Sequence, residues 1–158
     1  MNSGAFQILY DRLKVGIELN TSVMFSSESN EYETPQGFFN LLDEEFNFTL
    51  DPCATPHNTK CKKYYTIKED GLKQDWRGQT VFCNPPYGRE IGKWVQKAYQ
   101  EAKKYGVTVV MLIPARTDTA YFHDYIYHKA KEIRFIRGRL KFENTANSAP
   151  FPSMVVIF

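Results

Sequence analysis

Residues 80–114 read TVFCNPPYGREIGKWVQKAYQEAKKYGVTVVMLIP, and the apolar pattern changes twice along them. Thr80 to Cys83 is a short apolar stretch halted by Pro85-Pro86, which predicts a strand that runs into a stiff loop. From Glu90 to Tyr105, Ile91, Trp94, Val95, Ala98 and Ala102 recur at steps of three and four. That is the spacing of an amphipathic helix, and Gly106 closes it. Val107 to Ile113 is nearly continuous and rich in β-branched residues, as expected of a strand buried on both faces of a parallel sheet, and it stops at Pro114.

The same alternation extends in both directions. Upstream, Thr34 and Pro35 predict an N-cap hydroxyl and a first-turn proline for a helix carrying Phe38, Leu41 and Leu42. A strand over Phe46 to Leu50 ends at Asp51-Pro52, a second over Lys63 to Ile67 follows, and Asp70-Gly71 makes a turn. Downstream, Thr119 to Lys129 is helical in spacing, and strands are expected at Ile133 to Ile136, Leu140 to Phe142 and Met154 to Phe158. Repeated helix-then-strand order predicts a compact three-layer α/β domain with a mostly parallel sheet. Ala5 to Val15 has the spacing of a short helix, whereas Ser22 to Glu33 is polar. Order is expected from about Tyr32, dividing the chain into a loose segment over 1–31 and a domain over 32–158. In an open α/β sheet, ligands bind beyond the carboxyl ends of the strands. Asp51-Pro52, Asp70-Gly71, Asn84 to Tyr87 and Pro114-Ala115 therefore gather on one rim.

With 158 residues there is room for one sizeable core. Twenty Lys and Arg against 18 Asp and Glu give a net charge of +2, so any affinity for a polyanion must come from a local patch. Three cysteines are too few and odd in number for a disulfide scaffold. The longest apolar run falls well short of the roughly 20 residues of a membrane span. A protein of a reducing cytoplasm, without membrane attachment, is the expectation.

The chemistry concentrates in Asn84-Pro85-Pro86-Tyr87-Gly88. Two prolines fix the backbone and remove two amide donors, which leaves acceptors facing outward. The Asn84 side-chain oxygen and the Pro85 carbonyl can receive the two hydrogens of an exocyclic amino group, and Tyr87 offers a face to a planar ring. Cys53, after Pro52, invites comparison with a nucleophilic cysteine, but it lies on a different loop from this one and reads as a small packed residue. Cys53, His57 and Cys61 have spacing compatible with metal ligation, yet their order matches no common zinc module, and no metal is expected.

These residues carry a resemblance. FTLDPCA (48–54), NTKC (58–61), DGL (70–72), NPPYG (84–88), IGKWV (91–95), MLIPARTD (111–118), RFIRGRLKF (134–142) and NSAPFPS (147–153) are similar to segments of the phage and prophage DNA N-6-adenine methyltransferase family, from about Tyr32 to Phe158. The resemblance implies a Rossmann-like S-adenosylmethionine-dependent methyltransferase fold, S-adenosyl-L-methionine as donor, and an adenine drawn out of double-stranded DNA as acceptor. It implies catalytic roles for Asn84, Pro85, Pro86 and Tyr87, and cofactor contacts from Thr34, Pro35, Asp51, Pro52 and Asp70. The cofactor loop DPCATPHN departs from the general pattern in having no glycine.

For the DNA, Lys129, Lys131, Arg134, Arg137, Arg139 and Lys141 form one basic stripe, and Lys60, Lys62, Lys63, Lys68 and Lys73 a second. Arg116, Arg137 and Arg139 are the expected substrate-binding cations, with Tyr87, Phe142 and Phe151 as walls of a base pocket. The alternatives are a noncatalytic nucleic-acid binder, or an RNA, cytosine-N4 or protein amino-methyltransferase. So short a chain leaves almost no room for a separate target-recognition domain. Modest selectivity, a monomer or weak homo-oligomer, a possible specificity partner and action in a bacterial host cytoplasm follow as expectations. A last strand that ends at Phe158 also predicts a short tail beyond it.

Overall fold

The structure, a computed structural model, describes residues 3–16 and 31–158. Its elements follow one another as α1 (Ser3–Gly16), α2 (Gln36–Phe46), β1 (Leu50–Asp51), β2 (Lys63–Tyr64), β3 (Thr80–Cys83), α3 (Ile91–Tyr105), β4 (Thr108–Pro114), β5 (Glu132–Phe135) and β6 (Ser153–Ile157). A single turn of tight helix spans Gly71–Lys73, and a wider turn spans Phe122–Ile126 where a longer helix was expected.

The six strands form one mixed sheet in the order β2-β1-β3-β4-β6-β5. Pairings β1 with β2, β1 with β3 and β3 with β4 are parallel, whereas β6 runs antiparallel to both β4 and β5. This is an α/β fold in which three of the five strand pairings are parallel and β6 alone runs against the rest. All five residues of β6 are buried, as are six of seven in β4. Burial on both faces looks the same in sequence whichever way a strand runs, so the direction of β6 was not legible.

The core unit of β3, α3 and β4 lies where the spacing predicts. Ile91, Trp94, Val95 and Ala98 turn inward, and Gly106 accepts the left-handed φ of 68° that ends the helix. The strand expected over Phe46 to Leu50 shrinks to Leu50–Asp51, because Phe46 and Phe48 stack on each other at 5.7 Å and Asn47 caps α2 in the left-handed region. No strand forms over Leu140 to Phe142. Leu140 and Phe142 are buried, but the Leu140 carbonyl accepts from Ala149 N across a loop.

The expected helix near Ala5 to Val15 is α1. Its Phe6 and Tyr10 meet Phe38 of α2 edge-on at 5.6 and 5.3 Å, so packed structure includes this helix and does not begin at Tyr32. Most of the polar stretch Ser22 to Glu33 lies outside the described residues. The α2 start also differs from expectation. Pro35 is the N-cap, and the Gln36 amide donates to Glu143 Oε1 at 2.6 Å, so the cap comes from 107 residues away while the Thr34 hydroxyl is used elsewhere.

Candidate functional site

Because β1, β2, β3 and β4 are parallel, their carboxyl ends share one edge, and a cleft of about 1080 Å³ opens there. Thr34, Asp51, Pro52, Asp70, Asn84, Pro85 and Pro86 all line it. Pro114-Ala115, Pro35 and Tyr87 are not among its lining residues. The glycine-free loop after β1 is accommodated from the other side. A Cβ on Gly71 would stand 1.9 Å from the Pro52 carbonyl oxygen, so Gly71 lets the Pro52 backbone settle against the turn that follows β2. Trp76 locks that turn by donating from Nε1 to the Gly71 carbonyl at 3.0 Å.

At the β1 end, the Asp51 carboxylate accepts from Lys60 N at 3.1 Å and Cys53 N at 3.4 Å. Burial outweighs these two bonds and raises its pKa to about 6. An acid that holds a buried negative charge with only amide partners is suited to a cationic ligand. Asp70 stands across the cleft, its backbone at a φ of 55°, its side chain accepting from Leu72 N and paired with Lys73 at 3.1 Å. The Cys53 thiol donates to the Asn84 carbonyl at 3.3 Å and lies 3.7 Å from the Cys83 sulfur. Burial, then the Cys83 sulfur, pushes the Cys53 pKa well above the ordinary thiol range. The sulfur therefore stays protonated and is no nucleophile.

The Asn84 carboxamide donates both of its N–H groups, to the Tyr32 carbonyl at 2.5 Å and to Thr34 Oγ1 at 2.8 Å. Its oxygen, Oδ1, is buried and has no hydrogen-bond partner among the described residues. An acceptor left unmade in a buried place costs about 1–3 kcal/mol, and one on a cleft-lining residue calls for a donor that the described residues do not supply. An amino group is such a donor.

Tyr87 is fixed behind Asn84. It is 6% exposed, its hydroxyl donates to the Leu112 carbonyl at 3.2 Å, and burial keeps the phenol protonated. Tyr32 stacks on its ring at 5.1 Å and 24°, and Phe142 and Phe151 close around the pair at 5.0 and 5.1 Å from Tyr32. Phe142 and Phe151 thus do gather at Tyr87, as buried packing. Of these four rings only Tyr32 lines the cleft, and the sequence reading passed it over. Its only local signal is its place two residues before Thr34.

The cations divide differently. Arg116, Arg137 and Arg139 are exposed, outside the cleft lining, and Arg137 N donates to Gln7 Oε1 at 3.3 Å. Arg134, placed in the basic stripe by sequence, is 2% exposed. Its guanidinium binds both oxygens of Glu45 at 2.7 Å and those of Glu132 at 2.9 Å, so it is a structural ion pair and no phosphate ligand. Lys60 likewise leaves the second stripe, reaching Glu143 at 3.6 Å and Gln36 Oε1 at 3.0 Å.

Residues 21–158 match the family model described as DNA N-6-adenine-methyltransferase (Dam). The chain is 34% identical over 140 residues to the DNA N-6-adenine-methyltransferase of Haemophilus phage HP1, covering 84% of this chain and 80% of that protein. It is 31% identical over 111 residues to the protein of the same description from Escherichia phage T1, covering 69% of this chain and 45% of that one. Among the described residues, no helix is long and apolar enough to cross a membrane.

Proposed function

The chain belongs to the DNA N-6-adenine-methyltransferase (Dam) family, and from that premise we propose how its cleft performs the transfer. The reaction is site-specific methylation of adenine N6 in DNA. We read residues 32–158 as the methyltransferase domain, with the sheet and its helices in a three-layer Rossmann-like arrangement and residues 1–31 as an accessory segment.

The observation that carries the reading is the partnerless Asn84 Oδ1. An adenine amine is a poor nucleophile because its lone pair is delocalised into the ring. Asn84 Oδ1 and the Pro85 carbonyl accept its two N–H groups, favour a more tetrahedral nitrogen and take up the positive charge that grows as the new N–C bond forms. S-adenosyl-L-methionine supplies a sulfonium methyl, and the bonding pair stays on sulfur. The cleft fits such a donor. Asp51 and Asp70 are carboxylates at two points of its wall, Pro52 and Gly71 set the backbone between them, and Thr34 lies at the edge toward Asn84. The N6 proton leaves to solvent after transfer, so no histidine or other base is needed.

The acceptor is an adenine flipped from double-stranded DNA. Tyr32 presents the aromatic face of its slot, Tyr87 is stacked behind it, Phe142 and Phe151 hold the pair in place, and Arg116, Arg137 and Arg139 take phosphates. A monomer or weak homo-oligomer, with a specificity partner where selectivity demands one, acting in a bacterial cytoplasm, completes the proposal. The test is labelled-methyl transfer to unmethylated duplex by wild type and Asn84→Ala. Transfer should fall at least a hundredfold in the variant, in the range for loss of a transition-state hydrogen-bond partner, with donor affinity unchanged. Equal transfer would remove Asn84 from the reaction.

A further inference from the structure

We propose that Thr34 is a positioning residue for the acceptor amine: its hydroxyl, with the Tyr32 carbonyl, holds the Asn84 carboxamide in the one orientation that presents Oδ1 to the substrate. The proposal rests on the transfer reading above and assigns Thr34 to the acceptor side of the cleft. A carboxamide can turn over about its terminal bond, and its two ends then exchange donor for acceptor. The Tyr32 carbonyl can only accept, so the nitrogen must face it at 2.5 Å, and the Thr34 hydroxyl takes the remaining N–H at 2.8 Å. With both N–H groups engaged, only Oδ1 is left unpaired.

The two holders are themselves fixed. The Asn144 carboxamide pairs with the backbone on both sides of Tyr32, accepting from Glu33 N and donating to the Glu31 carbonyl, each at 2.9 Å. Glu143 N donates to the Glu33 carbonyl at 2.9 Å. Thr34 is 3% exposed, and the start of α2 is capped by Glu143 through Gln36 N, so its hydroxyl is not spent on the helix. Residues 50 positions apart in the chain thus build one rigid acceptor.

Thr34→Val removes the hydroxyl at nearly constant shape and leaves a buried N–H without a partner. At saturating donor, kcat should fall about tenfold, the donor dissociation constant should stay within about twofold, and Thr34→Ser should restore most of the rate. Wild-type kcat in Thr34→Val would overturn the proposal. So would a rate recovered by raising donor concentration, which is a cofactor contact, or equal loss in Thr34→Ser, which is packing. Thr34→Ala against Thr34→Ser gives the same comparison with no added bulk. The Asn84 side-chain amide protons, followed by ¹⁵N NMR on the protein alone, test the bond without any transfer. One should exchange at least about tenfold faster with water in Thr34→Val and stay slow in Thr34→Ser; unchanged exchange would overturn the assignment. Wild type that leaves DNA adenine unmethylated but shows these protected protons would sink the transfer reading and leave the geometry standing.

Discussion

Replacing Asp51 by Asn should make the donor-free protein more stable at neutral pH and less able to bind its donor. In the fold the Asp51 carboxyl keeps its proton up to about pH 6, against an ordinary value of 3.8. Between those two values the unfolded chain has released a proton that the native chain retains, so stability falls as pH rises through this window, and the penalty is constant above it. About two pKa units correspond to roughly 3 kcal/mol. The neutral amide escapes that penalty but has one oxygen for the two donors Lys60 N and Cys53 N, and losing one such bond costs about 1–2 kcal/mol. The net expectation is a variant more stable by about 1–2 kcal/mol at pH 7–8, with the advantage gone at pH 4. Urea unfolding of both proteins at each pH from 4 to 8 measures it. Calorimetry should show donor affinity falling in the wild type as pH drops through about 6, and weak binding by the variant throughout. A stability difference that does not change with pH, or a variant relatively less stable at pH 8 than at pH 4, would refute a buried, unpaired carboxylate at the end of β1.

Gly71→Ala should push Pro52 out of place, since the added Cβ would stand 1.9 Å from its carbonyl oxygen; a loss of about 1–3 kcal/mol in thermal or urea unfolding, with weaker donor binding, is expected. Arg134→Met removes the guanidinium shared by Glu45 and Glu132 and should destabilise the fold by about 3 kcal/mol, while the salt dependence of DNA binding at permissive temperature stays as in the wild type. Arg139→Ala should do the reverse, with unchanged melting and a salt slope reduced by about one in a titration against duplex DNA.

What could be read in the chain was what adjacent residues decide. Pro85-Pro86, Gly106 and Pro114 punctuate β3, α3 and β4, and the spacing of Ile91, Trp94, Val95 and Ala98 marks the buried face, so the unit that carries the site was legible. Asp51, Asp70 and Asn84 were placed together because strands of one direction end on one edge. The remainder depends on partners far apart in sequence. Arg134 looks like a member of a basic stripe until Glu45, 89 residues away, closes on it. Thr34 before Pro35 looks like a helix cap until Asn84 takes its hydroxyl and Glu143 caps α2 instead. Tyr32 carries little signal beyond its place before Thr34, since its meaning comes from Tyr87, Phe142 and Phe151 around it. The direction of β6 was hidden because Met154, Val155, Val156 and Ile157 are all buried, which a parallel and an antiparallel strand permit equally.

The central claim is that Asn84 and Pro85 present acceptors to an adenine amine. It is tested most directly by incubating the purified full chain with labelled donor and unmethylated duplex DNA, digesting the DNA to nucleosides and separating them. The account predicts label in N6-methyladenine, lower by at least about a hundredfold in the Asn84→Ala reaction. Label in a methylated cytosine, or transfer to RNA or protein with none to DNA, would contradict it.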